Sequence, residues 1–265
     1  MLCITFDNFG CAASFGFGQG VLPPQFRHET IPPVEWDKYN EIGLKLGHPR
    51  ILGVLKELGI RTSFCAEGFA AVIHPVELQQ WVAEGHEIVL HGWKHETWKN
   101  LPDATTEERL LTLSMAAMRE TLGERAPIGF RPPSFGLTPW SEELLEKFGI
   151  QYVSDLVGAP LKRLKLSPCS KEIPLIDALV VRQEDGGLLP GKDAITAYNM
   201  AYDAAVAHEE ATPDKPWVFI AHPLVSGNRA WIGFDRFIRR LHQRFGSDVF
   251  KTTGEVALAG DLQPA

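Results

Sequence analysis

Short apolar runs rich in Val, Ile and Phe recur along the chain, and several of them follow a helical segment that ends in glycine. Leu55-Lys56-Glu57-Leu58-Gly59 leads into Ile60–Phe64, Trp81–Gly85 into His86–Leu90, Leu145–Gly149 into Ile150–Val153, and Arg244–Gly246 into Asp248–Phe250. Glycine just past a helix end takes the left-handed cap at little cost, and the chain can then turn directly into a strand. The pattern predicts strands near residues 2–7, 60–66, 86–91, 126–131, 150–155, 173–182, 216–222 and 248–252, with helices between them. Apolar strands of this kind are expected where both faces of a sheet are covered. Thr105 with Glu108 predicts a capping box, and Thr138 followed by Pro139 predicts proline at the first helical position. The helical Trp81 and Trp140 read as core anchors. Strand–helix alternation implies a mostly parallel sheet with right-handed crossovers, open or closed into a barrel. No linker-like stretch divides residues 1–265, so a single α/β domain is expected. Two long connections, 9–47 and 155–172, have the length of lids or binding loops.

The polar residues fall at telling places. Asp7, His91, Arg131, Asp155 and His222 each lie at or just after the C-terminal end of a predicted strand. In parallel α/β folds those ends share one face, and that face carries the active site. One such residue is ordinary strand capping; five together point to a catalytic rim. His91 and His95 are four apart, which puts both imidazoles on one helical face or one tight turn, within reach of a shared metal. There is no H-E-x-x-H. Gly16, Gly18 and Gly20 do not have dinucleotide-loop spacing, and Ser226 is not on a G-x-S-x-G elbow. Trp93, Trp98 and Phe135 lie beside the rim, where they serve either as stacking faces for a flat ligand or as core.

Composition narrows the choices. The 265 residues are 45% hydrophobic and 22% charged, the mix of an ordinary globular protein. Lys plus Arg is 26 against 33 Asp plus Glu, a net charge of −7 that disfavours nucleic acid as a partner. No apolar run is long enough to span a bilayer, so no membrane partner is expected. Met1–Asp7 reads as a strand and not as an export signal, and Cys3, Cys11, Cys65 and Cys169 form no C-x-x-C pair. Both features predict reduced thiols and a cytoplasmic location. A small molecule or saccharide is the expected substrate, and a second copy of the chain is the one macromolecular partner left open.

With these residues assembled, the chain resembles the polysaccharide deacetylase family, carbohydrate esterase family four. Ile4-Thr5-Phe6-Asp7-Asn8 is similar to its T-F-D-D strand end, and His91 to His95 resembles its H-x-x-x-H metal pair. Phe130-Arg131-Pro132-Pro133-Ser134 resembles its R-x-P motif, and Phe219-Ile220-Ala221-His222-Pro223 its late strand ending in the catalytic acid. The resemblance implies an irregular (β/α) barrel of about seven parallel strands. It implies metal-assisted hydrolysis of an N-acyl amide, most simply N-deacetylation of an acetylated sugar. Asp7 would be the general base, held by Arg131. His91, His95 and Asn8 would bind a divalent ion such as zinc, Ser134 would offer a backbone N–H to the oxyanion, and His222 would protonate the leaving amine. Trp93, Pro132 and Phe135 would line the substrate.

Three departures from the family pattern matter. Asn8 stands where a second Asp is usual, which predicts weakened or absent metal binding because an amide oxygen brings no charge. Ser134 replaces an aromatic after the R-x-P motif. No Asp-Trp motif follows, and Asp155 and Asp177 remain alternatives for supporting His222. Two further readings stand beside the deacetylase: a cytosolic amide or cyclic-imide or ureide hydrolase with weak metal or none, and a non-catalytic sugar-binding relative.

Overall fold

The computed structural model describes residues 1–7, 43–155, 165–166 and 191–259. Its centre is a seven-stranded parallel sheet in the order β6-β5-β4-β3-β2-β1-β7, built from β1 (Leu2–Asp7), β2 (Ser63–Ala66), β3 (Glu87–Leu90), β4 (Gly129–Phe130), β5 (Tyr152–Ser154), β6 (Lys165–Leu166) and β7 (Trp217–Ala221). The helices between them are α1 (His48–Leu58), α2 (Ala70–Ile73), α3 (Pro75–Ala83), α4 (Ala104–Leu122), α5 (Ser141–Lys147), α6 (Gly191–Ala211), α7 (Trp231–Phe245) and α8 (Thr253–Ala259). This is the expected single-chain (β/α) barrel architecture.

The curl of the sheet follows from one side chain. Arg131, just past β4, donates to Thr5 and Asp7 on β1, which lies three strands away in the sheet. In a flat sheet three strand spacings are about 14 Å, well beyond an arginine's length, so the sheet must bend round until β4 and β1 face each other. The register agrees: Asp7 pairs with Cys65, Thr5 with Ser63, and Ser63 with Glu87, so these side chains share the concave face.

Sequence patterning misses the character of that face. The convex face is apolar and aromatic: Phe6 stacks on Phe64 at 5.2 Å and meets Phe234 of α7 at 5.6 Å, Phe64 meets Trp81 of α3 at 4.5 Å, and Phe219 meets Phe237 at 5.0 Å. The concave face instead carries Thr5, Asp7, Ser63, Glu87, Tyr152 and Ser154, mostly buried and linked by hydrogen bonds. A strand of alternating Phe and Thr or Ser reads as uniformly β-prone, because hydroxyl and aromatic residues both favour strands.

Several boundaries move. The N-cap of α4 is Asp103, whose carboxylate accepts the Thr106 N–H at 2.7 Å, two residues before the expected Thr105. Thr138 and Pro139 form a turn, and α5 begins at Ser141, with the Trp140 N–H donating to the Thr138 hydroxyl. Trp140 is 38% exposed at that helix start and is not a core anchor, whereas Trp81 is buried. The expected strand at 248–252 contributes a single bridge, Phe250 to Leu2, and the run at 126–131 only Gly129–Phe130. Within the connection 155–172 lies β6, paired with β5. The run at 173–182 and most of the 9–47 connection lie outside the described residues. Gly59, with φ +65°, is the left-handed cap read from the sequence. Cys3 and Cys65 are free buried thiols, as expected; Cys11 and Cys169 lie outside the described residues.

Candidate active site

Asp7 ends β1 and is almost completely buried. Arg131 Nη1 donates to Asp7 Oδ1 at 2.6 Å and to Thr5 Oγ1 at 2.7 Å, while Nη2 donates to Ser154 Oγ at 2.7 Å. The Thr5 hydroxyl proton is committed to the Phe219 carbonyl at 2.8 Å, so its oxygen is left to accept from Arg131. The guanidinium is thus aimed by two hydroxyls from different strands. Burial works against ionisation of Asp7, but the charge of Arg131, helped by His91 and His222, outweighs it and holds the carboxyl at about 2. Asp7 is therefore a fixed carboxylate.

The same residue orients the first histidine. His91 Nδ1 lies 2.7 Å from the Arg131 carbonyl oxygen. A carbonyl only accepts, so Nδ1 carries the proton and Nε2 presents a lone pair. Burial pulls the His91 imidazolium down to about 4, and burial also lowers that of His95 strongly, so both rings are neutral near pH 7. The rings meet edge to face with centroids 4.9 Å apart. His91 Nε2 and His95 Nδ1 are buried and have no hydrogen-bond partner among the described residues. Buried polar atoms of that kind are costly unless something absent completes them.

The spacing of four is realised on a tight loop, not a helix. Gly92 has φ +70° and His95 φ +64°, the latter costly for a side chain with a Cβ. The turn after β2 holds the loop: Gly68 N–H donates to the Gly92 carbonyl and Phe69 N–H to the Trp93 carbonyl, while the Lys94 ammonium sits 3.9 Å over the Phe69 ring. Glu96, fully buried, accepts the N–H groups of Trp93 and Lys94, both at 2.9 Å. Burial pushes its carboxyl up to about 7, against the pull of these donors.

A second left-handed turn follows Arg131. Ser134 (φ +61°), Phe135 (+54°) and Gly136 (+91°) are consecutive, with Phe135 N–H bonded to the Pro132 carbonyl. The Asp155 carboxylate, at the end of β5, accepts the Gly136 N–H at 3.0 Å. Three left-handed residues in a row next to a buried charge pair are an arrangement associated with functional sites.

His222 follows β7, half-buried, and its carbonyl is capped by the N–H groups of Val225 and Ser226 at 2.9 and 2.8 Å. That cap opens a π-helical turn, Val225–Arg229, packed against a second one at Gly43–Gly47. A Cβ at Gly47 would overlap the Pro223 backbone, so this glycine permits the close approach. The charge of His222 acts on Asp7, His91 and His95 alike. Asp7, His91, His95, Arg131 and His222 thus meet at one mouth.

Of the substrate-lining candidates, Pro132 is buried, Phe135 and Ser134 are half-buried, and Trp93 is 9% exposed against Phe69. Trp98 is core: fully buried, tilted on Phe130, with its indole N–H shared by Glu107 and Ser141. Asn8 and Asp177 lie outside the described residues. Sequence reasoning missed Thr5, Ser154 and Glu96, although each is a polar residue within two positions of a residue it did select.

Residues 39–153 match the polysaccharide deacetylase family model, a stretch that holds His91, His95 and Arg131 but neither Asp7 nor His222. A peptidoglycan deacetylase-like protein of Gibberella zeae is 30% identical over 116 residues, 43% of this chain and 34% of that protein. The chain spans about a third of the length of the curated relatives it matches first. Among solved structures, a Mycobacterium smegmatis protein assigned as a polysaccharide deacetylase superposes with a TM-score of 0.74 at 24% identity, covering 99% of this chain and 91% of that one. PuuE allantoinase superposes at 0.75 with 19% identity, covering 100% and 91%. At these identities the two superpositions establish the barrel alone. The matched segment is thus similar to the polysaccharide deacetylase family, and the superpositions give the chain the barrel fold.

Proposed function

We propose that the chain is a hydrolase of non-peptide C–N amide bonds, most simply an N-deacetylase of an acetylated saccharide. The observation that carries this reading is the Arg131 residue, which fixes the Asp7 carboxylate with its guanidinium and the His91 tautomer with its carbonyl.

The neutral rings of His91 and His95, each with a buried nitrogen that no described residue engages, suit a divalent cation such as zinc. Among the described residues no group of three potential ligands is gathered, and Asn8, next to Asp7, is proposed as the third. When bound, such an ion supplies polarisation of the amide carbonyl and of water. The protein's own groups do the rest. Asp7, ionised and held on one oxygen by Arg131, takes a proton from the attacking water. The water oxygen bonds to the acyl carbon, and the developing oxyanion is met by a backbone N–H in the left-handed turn, assigned to Ser134. His222, across the mouth, gives its proton to the amine nitrogen as the C–N bond breaks. Trp93, Pro132 and Phe135 line the approach of the substrate.

A second reading is supported by the likeness of the fold to an allantoinase: a cyclic imide or ureide hydrolase using Asp7 and His222. Acetate release from N-acetylated oligosaccharides and ring opening of a cyclic ureide, each with and without chelator, separate the two. The first reading predicts chelator-sensitive acetate release that Asp7→Asn abolishes. Chelator-insensitive ring opening without acetate release favours the second. Saccharide binding with no turnover of either substrate would leave only a binding relative.

A further inference from the structure

We infer that Glu96 is a positioning residue for the His91–His95 pair, and this rests on the proposal that the pair holds a divalent cation. A carboxylate buried to full exclusion of water is expensive and needs a compensating use. Glu96 spends both oxygens on the loop that carries the histidines: Oε2 on the Trp93 N–H and Oε1 on the Lys94 N–H, each at 2.9 Å. Those two N–H groups lie between His91 and His95. Backbone at Gly92 and His95 takes positive φ, and His95 bears a Cβ, so the conformation does not hold itself. Tied at 93 and 94, the chain reverses tightly enough for two imidazoles four residues apart to meet off a helix.

The surroundings leave the carboxylate little alternative. A Cβ on Gly92 would lie 3.0 Å from Glu96 Oε2 and 3.0 Å from Pro133 Cγ, so glycine is what lets the carboxylate and the Arg131–Pro133 segment close on the loop together. Trp98 N–H, just after Glu96, donates to the Pro133 carbonyl at 3.3 Å and joins the two loops. Glutamine cannot replace Glu96 faithfully: it has one acceptor oxygen, and its amide NH2 would face the second N–H donor.

Zinc titration of the full chain by calorimetry tests this, with Glu96→Gln, Glu96→Ala and, as a control, Glu107→Gln, a buried carboxylate that serves Trp98 and Thr138 instead. Glu96→Gln is expected to lose about tenfold in zinc affinity and Glu96→Ala up to about 100-fold, the range seen when groups that orient metal ligands are removed. Glu107→Gln is expected to lower the thermal midpoint while leaving zinc affinity within about twofold. Should the Glu96 variants not fold, Gly92→Ala displaces the carboxylate without removing it and is expected to lose about tenfold. Undiminished affinity in the Glu96 or Gly92 variants, or an equal loss in Glu107→Gln, overturns the role of Glu96 alone. Absence of zinc binding by the unsubstituted chain overturns the cation assignment and this inference with it.

Discussion

The two ends of the barrel interior are both polar, and they are polar in opposite ways. At the end where the strands begin, Glu87 accepts from Ser63 at 2.7 Å, Tyr152 at 2.7 Å, Thr253 at 3.0 Å and the Gly254 N–H at 2.9 Å. The Thr253 N–H also donates to the Ser63 hydroxyl at 2.8 Å, so the start of α8 is stitched into the barrel floor. Glycines at 129 and 254 make room, since a Cβ at either would overlap Tyr152 or Glu87. At the mouth, by contrast, imidazole nitrogens have no partner and three non-glycine residues sit at positive φ among the described residues. A network that satisfies every donor buys rigidity, whereas one that leaves lone pairs open and backbone strained is arranged for something that arrives. The floor stabilises; the mouth is built to act.

That contrast breaks most visibly at Arg131. Arg131→Met leaves Asp7 buried without its guanidinium counter-charge, while the backbone carbonyl that fixes the His91 tautomer stays. It is expected to cost about 3–5 kcal/mol of stability and more than 100-fold in kcat/KM on whichever amide is turned over. Urea unfolding and initial rates measure the two effects, and a stable, active variant would dissolve the distinction between mouth and floor.

The next effect lies on the floor side and depends on pH. His86, just before β3, is pulled by burial down to about 4, with its Nδ1 accepting the Thr62 N–H at 3.3 Å. Its folded pKa lies below the unfolded value of 6.5, so its contribution is present above about pH 6.5 and is lost as pH falls towards 4. About 3 kcal/mol of stability should disappear over that window. His86→Gln removes this contribution, so between pH 7 and pH 4.5 the urea midpoint of the unsubstituted protein should fall further than that of the variant. Equal slopes would show that the ring is not buried neutral.

Tyr152→Phe gives the smallest change and the sharpest contrast. Removing the phenol leaves the Glu87 carboxylate short of a donor, which should cost about 1–3 kcal/mol. kcat and KM should stay within about twofold, because among the described residues its bonds go to the floor. A large loss of kcat at unchanged stability would make the floor part of the chemistry.

Much of the rim could be read from the chain because a parallel sheet puts every strand's end at one face, and Asp7, His91, Arg131 and His222 are chemically distinctive residues at such ends. What escaped reading was the support. Thr5 and Ser154 look like ordinary strand residues until the curl brings Arg131 to them, a contact over more than 120 positions on the Thr5 side. Glu96 drew no reading because its partners are backbone N–H groups, which have no sequence signature. Ser63, Glu87 and Tyr152 were hidden for the same reason: their meaning lies in which face of the sheet they share. Helix starts slipped by two residues where Asp103 competed successfully with Thr105 for the cap.

The central claim is that His91 offers a neutral Nε2 lone pair at the mouth, fixed by the Arg131 carbonyl. Nitrogen NMR of the imidazole side chains at neutral pH, before and after one equivalent of zinc, tests it most directly. The account predicts the Nδ1–H tautomer for His91 in the metal-free protein and a large shift of its Nε2 resonance on adding zinc. An Nε2–H tautomer, or resonances of His91 and His95 that do not respond to zinc, would contradict it.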